Sequence, residues 1–154
     1  MFFRDRPGAI REMLRVLAPG GRLAVAVWDS LENSEAYPLE ADLLERRAGR
    51  EAADALRAPF VLGDKAQLSA MFTSAGAASV RVSTRHGTAR YPSIRTMVEA
   101  DLRGWLPVMG VTLSEDLIET ILNEAEQVLS RYVTEAGEVK FDSPAHIVTA
   151  LKAD

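Results

Sequence analysis

The sequence predicts an α/β fold in which a small mixed sheet is packed with helices. Three observations lead to this class. The segment Arg22–Trp28 is apolar at nearly every position, as in strands that are buried on both faces of a sheet. A second segment, 79–84, alternates apolar and polar residues in the pattern of a strand. Apolar residues recur at helical spacing before, between and after these segments, and such an alternation is typical of the α/β class.

The first half of the chain contains four predicted helical segments in addition to the first strand. Residues 6–17 have an apolar stripe, and Pro7 suits the first turn of that helix because its missing N–H is not needed there. Ser34 is the expected N-cap of a helix that runs to about Arg47. A short helical piece follows around 52–56, and Asp64 is the expected N-cap of a helix that ends near Gly76.

The second half begins with the strand 79–84 and is mostly helical after it. We expect Ser93 to cap a helix that contains Trp105, and Ser114 to cap the longest helix, which runs to about Val133. A last strand, 139–151, is interrupted by Asp142-Ser143-Pro144.

Composition limits the classes of function. The 154 residues are enough for one domain, 1–154, and 47% of them are hydrophobic. The net charge of −4, without a basic run, argues against nucleic acid as a partner. The sequence has no cysteine and its two histidines lie far apart, so we predict no metal site. No apolar run is long enough for a membrane span, and we expect a cytoplasmic protein with no membrane partner.

The segment FFRDRPGAIREMLRVLAPGGRLAVAVWDS carries a family resemblance. Its motif R-V-L-x-P-G-G-x-L, from Arg15 to Leu23, resembles the helix and fifth strand of class I S-adenosylmethionine-dependent methyltransferases. The branch that it resembles most is that of the quinone-biosynthesis C-methyltransferases. LGDKAQLSAMFTSAGAASVRVST resembles the helix and sixth strand that follow, and FDSPAHIVTALK resembles the final antiparallel strand.

This resemblance implies the C-terminal half of a Rossmann-like methyltransferase fold. The last strand should lie between Arg22–Trp28 and 79–84 and run antiparallel to both, and residues 91–133 should form a helical lid inserted before it. In the family, the cofactor S-adenosylmethionine is bound by a glycine-rich turn and an acidic residue upstream of this region. Neither has a counterpart here, so we predict no cofactor-binding residue and no cofactor for this chain alone.

Four residues are candidates for a substrate pocket. Trp28 and Asp29 end the strand Arg22–Trp28, and open α/β sheets bind ligands at the carboxyl ends of their strands. The alternative is that Trp28 is a core residue and Asp29 begins a turn. Asp101 and Trp105 lie on one helical stripe, where a carboxyl group is expected to have a raised pKa. The alternative for Asp101 is an edge position with an arginine partner. No residue is predicted to be catalytic.

The leading hypothesis is therefore a fragment or truncated form of a methyltransferase that methylates a small molecule. Two alternatives stay open. One is a non-enzymatic module that dimerises or completes a partner, and the other is a binder of small apolar ligands. Because Arg22–Trp28 lacks its fourth-strand neighbour, we also predict a homodimer or a strand-exchanged assembly.

Overall fold

A computed structural model of the protein describes residues 2–153. In chain order the helices are α1 (Arg6–Val16), α2 (Tyr37–Ala48), α3 (Arg50–Arg57), α4 (Lys65–Ser74), α5 (Ile94–Glu99), a π-helix (Ala100–Trp105), α6 (Leu106–Val108) and α7 (Glu115–Val128). The strands are β1 (Arg22–Trp28), β2 (Ala77–Arg85), β3 (Thr88–Tyr91), β4 (Val139–Asp142) and β5 (Ala145–Lys152). Short 3₁₀ turns cover Leu31–Asn33, Ala58–Phe60 and Ser130–Tyr132.

The chain folds into two compact units, and each is built from separate stretches of sequence. The first unit contains residues 2–30, 59–86 and 144–153, and the second contains residues 31–58 and 87–143. The predicted insertion, 91–133, falls within the second unit. The assignment of residues 1–154 to one domain stays a prediction.

The first unit is built on a three-stranded sheet with the strand order β1-β5-β2. Strand β5 is antiparallel to both neighbours, and Val148 lies opposite Val25 on one side and Val82 on the other. This is the predicted arrangement, and it confirms the fold class. A bulge interrupts the pairing of β2 near its start, where Ser79 has a φ of 53°.

The sheet of the first unit buries only one of its faces. On that inner face Leu23, Val25 and Val27 of β1 pack into a core with helices α1 and α4, whose buried residues there are Ile10, Leu14, Leu68 and Phe72. The intervening β1 residues are exposed. The apolar sequence of β1 predicted burial on both faces of the strand, but only one face is buried.

The second unit is a group of helices with one pair of strands. Its core is contributed by α2, α3, α5, the π-helix and α7. Strands β3 and β4 pair antiparallel, with Thr88 opposite Asp142 and Tyr91 opposite Val139.

The strand pair β3-β4 corrects two sequence predictions. The last strand, 139–151, is in fact two strands that belong to two different sheets. The Ser143 N–H donates to the Gly87 carbonyl, and Pro144, which has no N–H, begins the segment that leads into β5. The lid prediction, which starts at Tyr91, also included a residue that belongs to β3. Helix α7 ends at Val128, before the expected Val133.

Three of the four predicted N-caps are confirmed, and one is wrong. The Asp64 carboxylate accepts hydrogen bonds from the N–H groups of Ala66 and Gln67, and Ser93 and Ser114 cap α5 and α7 in the same way. Ser34 caps nothing, because α2 begins at Tyr37, and Ala36 stands at its cap position. Pro38 in the first turn of α2 explains the later start, since proline is favoured there.

Candidate functional site

Two carboxyl groups lie together inside the second unit. Helix α2 carries Glu40 on its buried face with Leu43 and Leu44, and the Glu40 side chain is 0% exposed. The π-helix carries Asp101, whose carboxyl group is in hydrogen-bond contact with that of Glu40. No N–H or O–H donor of the described residues reaches either Glu40 oxygen. The contact is therefore a hydrogen bond only when one of the two carboxyl groups is protonated.

Burial determines how this pair ionises. It raises the pKa of Glu40 well above the ordinary value, and the negative charge of Asp101 raises it further. Burial also raises the pKa of Asp101, to about 6, although the hydrogen bond with Glu40 lowers it. The hydrogen bond between the two groups raises the pKa of Glu40 and lowers that of Asp101. Near pH 7 this favours a neutral Glu40 that donates its proton to an ionised Asp101.

The second unit also contains a group of aromatic side chains, of which Tyr37 shares helix α2 with Glu40. The hydroxyl oxygens of Tyr37 and Tyr91 are 3.0 Å apart. Burial raises the pKa of Tyr37, and the charge of Asp101 adds to that shift, so Tyr37 is held as the neutral phenol. The Phe141 ring contacts the rings of Tyr37, Tyr91 and Tyr132 at centroid distances of 5.6, 6.3 and 5.9 Å.

A second polar group, Asp29 with His146, lies at the carboxyl end of β1 in the first unit. His146 is 0% exposed, and its Nε2 atom is 3.0 Å from Asp29 Oδ1 and 2.8 Å from the Gly63 carbonyl oxygen. Its Nδ1 atom is 3.2 Å from Thr84 Oγ1. Both ring nitrogens thus have partners inside the protein, and the group holds three strands and the loop at Gly63 together.

The four candidate pocket residues lie in different environments. Trp28 is 41% exposed and belongs to neither core, whereas Asp29 is buried against His146. Trp105 is half-buried, and its indole N–H donates to the Ala55 carbonyl, 2.8 Å away, so it packs within the second unit. Asp101 faces Glu40, while Arg103 pairs with Glu99 and Glu115 instead. Whether any of the four contacts a substrate stays a prediction.

Sequence reasoning missed Glu40, Tyr37, Tyr91 and His146. A signal existed for Glu40, because it precedes Leu43 and Leu44 by three and four residues on a helical stripe, as Asp101 does on its own helix. His146 lies on the same face of β5 as Val148 and Ala150, the face that packs on α1 and α4. The alternation of buried and exposed positions along β5 already placed His146 on the buried face.

A metal ion needs several His, Cys, Asp or Glu side chains close together. The described residues contain no group of three or more His, Cys, Asp or Glu side chains arranged to hold a metal ion. A Cβ added to Gly63 would lie 2.1 Å from the Ser30 backbone nitrogen, so the space beside that glycine is already filled by the chain. Among the described residues, no glycine-rich turn runs from a strand of the first unit into a helix. That the chain alone does not bind S-adenosylmethionine stays a prediction. None of the described helices is both long and apolar enough to span a membrane.

Comparison with known proteins gives the fold. No family model and no curated protein matches the chain. Among solved structures, an inferred methyltransferase from Bacillus halodurans C-125 is 16% identical with a TM-score of 0.50, and the match covers 99% of this chain and 60% of that one. The YcgJ protein of Bacillus subtilis is 18% identical (TM-score 0.49, 99% and 59% covered).

A phosphoethanolamine N-methyltransferase of Haemonchus contortus, solved with S-adenosylhomocysteine, is 13% identical (TM-score 0.44, 99% and 31% covered). The chain spans about 60% of the length of the first two of these proteins. The chain therefore has a Rossmann-like α/β fold that matches part of the Bacillus halodurans protein.

Proposed function

We propose that this chain is the acceptor-side part of an S-adenosylmethionine-dependent methyltransferase that acts on a small molecule. It would correspond to the C-terminal half of such an enzyme, in the branch that resembles the quinone-biosynthesis C-methyltransferases. The observation that supports this most is the sheet order β1-β5-β2 with β5 antiparallel, together with the match to the Bacillus halodurans protein. The motif R-V-L-x-P-G-G-x-L before β1 supports it independently.

The second unit is our candidate for the acceptor-binding part. Asp101 offers a carboxyl group whose pKa of about 6 suits it to accept a proton near neutral pH. Glu40 holds that carboxyl group in place, and Tyr37 and Tyr91 add hydroxyl groups on the same unit. In this role Asp101 binds the acceptor, and Glu40 is a positioning residue.

Reconstitution tests the proposal. The chain is expressed together with the polypeptide encoded immediately upstream of it, and S-adenosylhomocysteine release is measured with a panel of phenols, quinols and amines. We expect release that needs both parts and that falls at least about tenfold in Asp101→Asn, which keeps the shape but not the proton acceptor. Turnover that is the same in Asp101→Asn would remove Asp101 from the acceptor site. Absence of turnover and of cofactor binding by the pair would contradict the methyltransferase proposal.

A second candidate function, a dimerisation module, is favoured by β1. Within residues 2–153 this strand pairs with β5 alone. Leu23–Trp28 contains no charge and no proline, which are the usual protections of a strand edge. We infer a homodimer, or a strand-exchanged assembly, joined along β1 or through α1. Light scattering at low micromolar concentration should show the dimer.

The edge can be blocked at an exposed position. Ala26→Lys places a charge on β1 outside the core, and we expect it to give a folded monomer. The same substitution at Val25 is a poor choice, because Val25 packs into the core. A wild-type monomer at these concentrations would contradict the dimerisation module.

A further inference from the structure

The buried carboxyl pair of the second unit, Glu40 with Asp101, has no positively charged partner among the described residues. Apart from burial, the only influence on the pKa of either carboxyl group is the other member of the pair. Arg103 lies close to Asp101 in sequence but pairs with Glu99 and Glu115 instead. Near pH 7 the two carboxyl groups thus share one proton and one negative charge, and a buried charge without a partner is costly.

The carboxyl pair also lacks hydrogen-bond donors. Glu40 is 0% exposed, and no donor of the described residues reaches either of its oxygens. When Glu40 holds the proton and donates it to Asp101, its second oxygen remains an acceptor without a donor. A protonated amine offers two or three N–H donors, a positive charge and no acceptor, whereas a phenol offers one donor and no charge. The amine therefore matches what the carboxyl pair lacks.

Aromatic rings close to the carboxyl pair suit the same kind of ligand. Tyr37 lies one helical turn before Glu40 on α2; burial raises the pKa of Tyr37, and the negative charge of Asp101 raises it further. The hydroxyl oxygens of Tyr37 and Tyr91 are 3.0 Å apart, and the Phe141 ring lies 5.6 and 6.3 Å from their rings. Ammonium groups are attracted to the faces of such rings. The two tyrosines and Asp101 are half-buried, so the ligand would approach from their side.

The backbone at Asp101 is unusual in a way that does not depend on charge. Asp101 lies in the π-helix Ala100–Trp105, which directly follows α5. Such helical turns are rare in proteins and occur frequently at functional sites. Leu102 and Trp105 of the same turn pack within the second unit, whereas Asp101 faces Glu40. The unusual backbone and the uncompensated charge thus occur at the same residue.

We propose that Glu40 and Asp101 form a binding site for an organic cation, namely a primary or secondary amine in its protonated form. The nitrogen would donate to Asp101 and to the buried Glu40 oxygen, and it would lie against the rings of Tyr37 and Tyr91. The assignment of this ligand as the methyl acceptor rests on the function proposed above, whereas binding of the amine does not itself require methyl transfer.

The test is a titration of the chain near pH 7, followed by protein NMR. The ligands are ethylamine, benzylamine and tyramine, with ethanol, benzyl alcohol and tyrosol as their neutral counterparts. We expect at least one amine to bind at least about tenfold more tightly than its alcohol, with shifts at Tyr37 and Tyr91. Equal affinities within every pair of ligands, or no binding of any amine at millimolar concentration, would overturn the proposal. So would potassium chloride that displaces the amine at equal concentration, because the site would then accept any monovalent cation.

Two substitutions separate the charge of the site from its shape. Asp101→Asn keeps the shape and removes the charge, so it should abolish the preference for the amine over the alcohol. Glu40→Gln should keep that preference, because Asp101 stays ionised and the amide retains an acceptor oxygen. Asp116→Asn, at an exposed position of α7, is the matched control and should bind as the wild type does. A preference that persists in Asp101→Asn, or that disappears in Glu40→Gln, would overturn the proposal.

Failure of this proposal can be distinguished from failure of the methyltransferase proposal. Turnover of a phenol or quinol by the chain together with the upstream polypeptide, with no amine bound, would overturn the cation site alone. Amine binding without turnover or cofactor binding would contradict methyl transfer alone. Amine binding that is lost once the upstream polypeptide is added would also overturn the cation site, because the protein itself would then supply the positive charge.

Discussion

At the scale of single residues, the pair formed by Glu40 and Asp101 should make stability depend on pH. Both pKa values are raised in the folded chain, so the folded chain holds protons that the unfolded chain has already released. The free energy of unfolding should therefore fall as pH rises from about 4, the ordinary value for a carboxyl group, through about 6 and beyond.

Glu40→Gln removes one of the two titrating groups and supplies an amide that donates to Asp101. We expect the variant to be more stable than the wild type at about pH 8, and the difference to shrink at about pH 4.5, where the wild-type pair is largely protonated. Thermal melts across this range measure it. Glu126→Gln is the matched control, because Glu126 is exposed. A stability difference that does not change with pH would contradict the buried proton.

His146 should matter for stability rather than for chemistry. Replacing it with alanine leaves Asp29 buried without its histidine and the Thr84 hydroxyl without its ring partner. Leaving buried polar groups without their hydrogen-bond partner costs about 1–3 kcal/mol. Urea unfolding of His146→Ala measures this loss, and His86→Ala, at an exposed histidine, is the control. A loss below about 1 kcal/mol would show that the group adds little.

At the scale of single residues, prediction from the sequence depended on the periodicity of apolar residues. Asp101 interrupts an apolar helical stripe, and that interruption identified it. The pairing of Asp29 with His146 joins positions that are far apart in the chain, and only the register of β1 with β5 brings them together. No local pattern contains that information.

At the scale of elements, the N-cap of α4 was predicted correctly and that of α2 was not. Asp64 accepts two backbone N–H groups, so Asp64→Ala should destabilise by about 1 kcal/mol. Ser34 is 2% exposed, and its hydroxyl has no hydrogen-bond partner among the described residues. Ser34→Ala should therefore be neutral or stabilising, because it removes a buried polar group that lacks a partner.

Chemical denaturation of the two alanine variants measures both effects. Similar destabilisation of the two would mean that Ser34 does act as a cap in solution. The sequence misplaced this helix start because serine three residues before a helical stripe is a common N-cap pattern, while Pro38 sets the actual start.

The sheet elements were predictable to different degrees. Strand β1 and its antiparallel neighbour β5 follow from apolar content and from the family resemblance. Strand β3 was missed, and β4 was predicted as the first part of the last strand rather than as a separate strand. Each has only four residues, too few to show a period. Their pairing depends on the partner strand and on aromatic contacts such as those of Phe141 rather than on local sequence.

At the scale of the whole molecule, the sheet of the first unit combines a covered inner face, an open outer face and an unpaired edge at β1. The dimer proposed through the edge of β1 follows from this arrangement.

The measurement that most directly tests the acceptor-side assignment is a titration of S-adenosylmethionine into this chain, followed by calorimetry. The described residues offer no glycine-rich turn between a strand of the first unit and a helix, and the acidic residue that the family uses for the ribose has no counterpart. We expect no binding heat up to millimolar cofactor, with S-adenosylhomocysteine giving the same result. Micromolar binding of either compound to the chain alone would contradict the assignment, because the cofactor site would then lie within these residues.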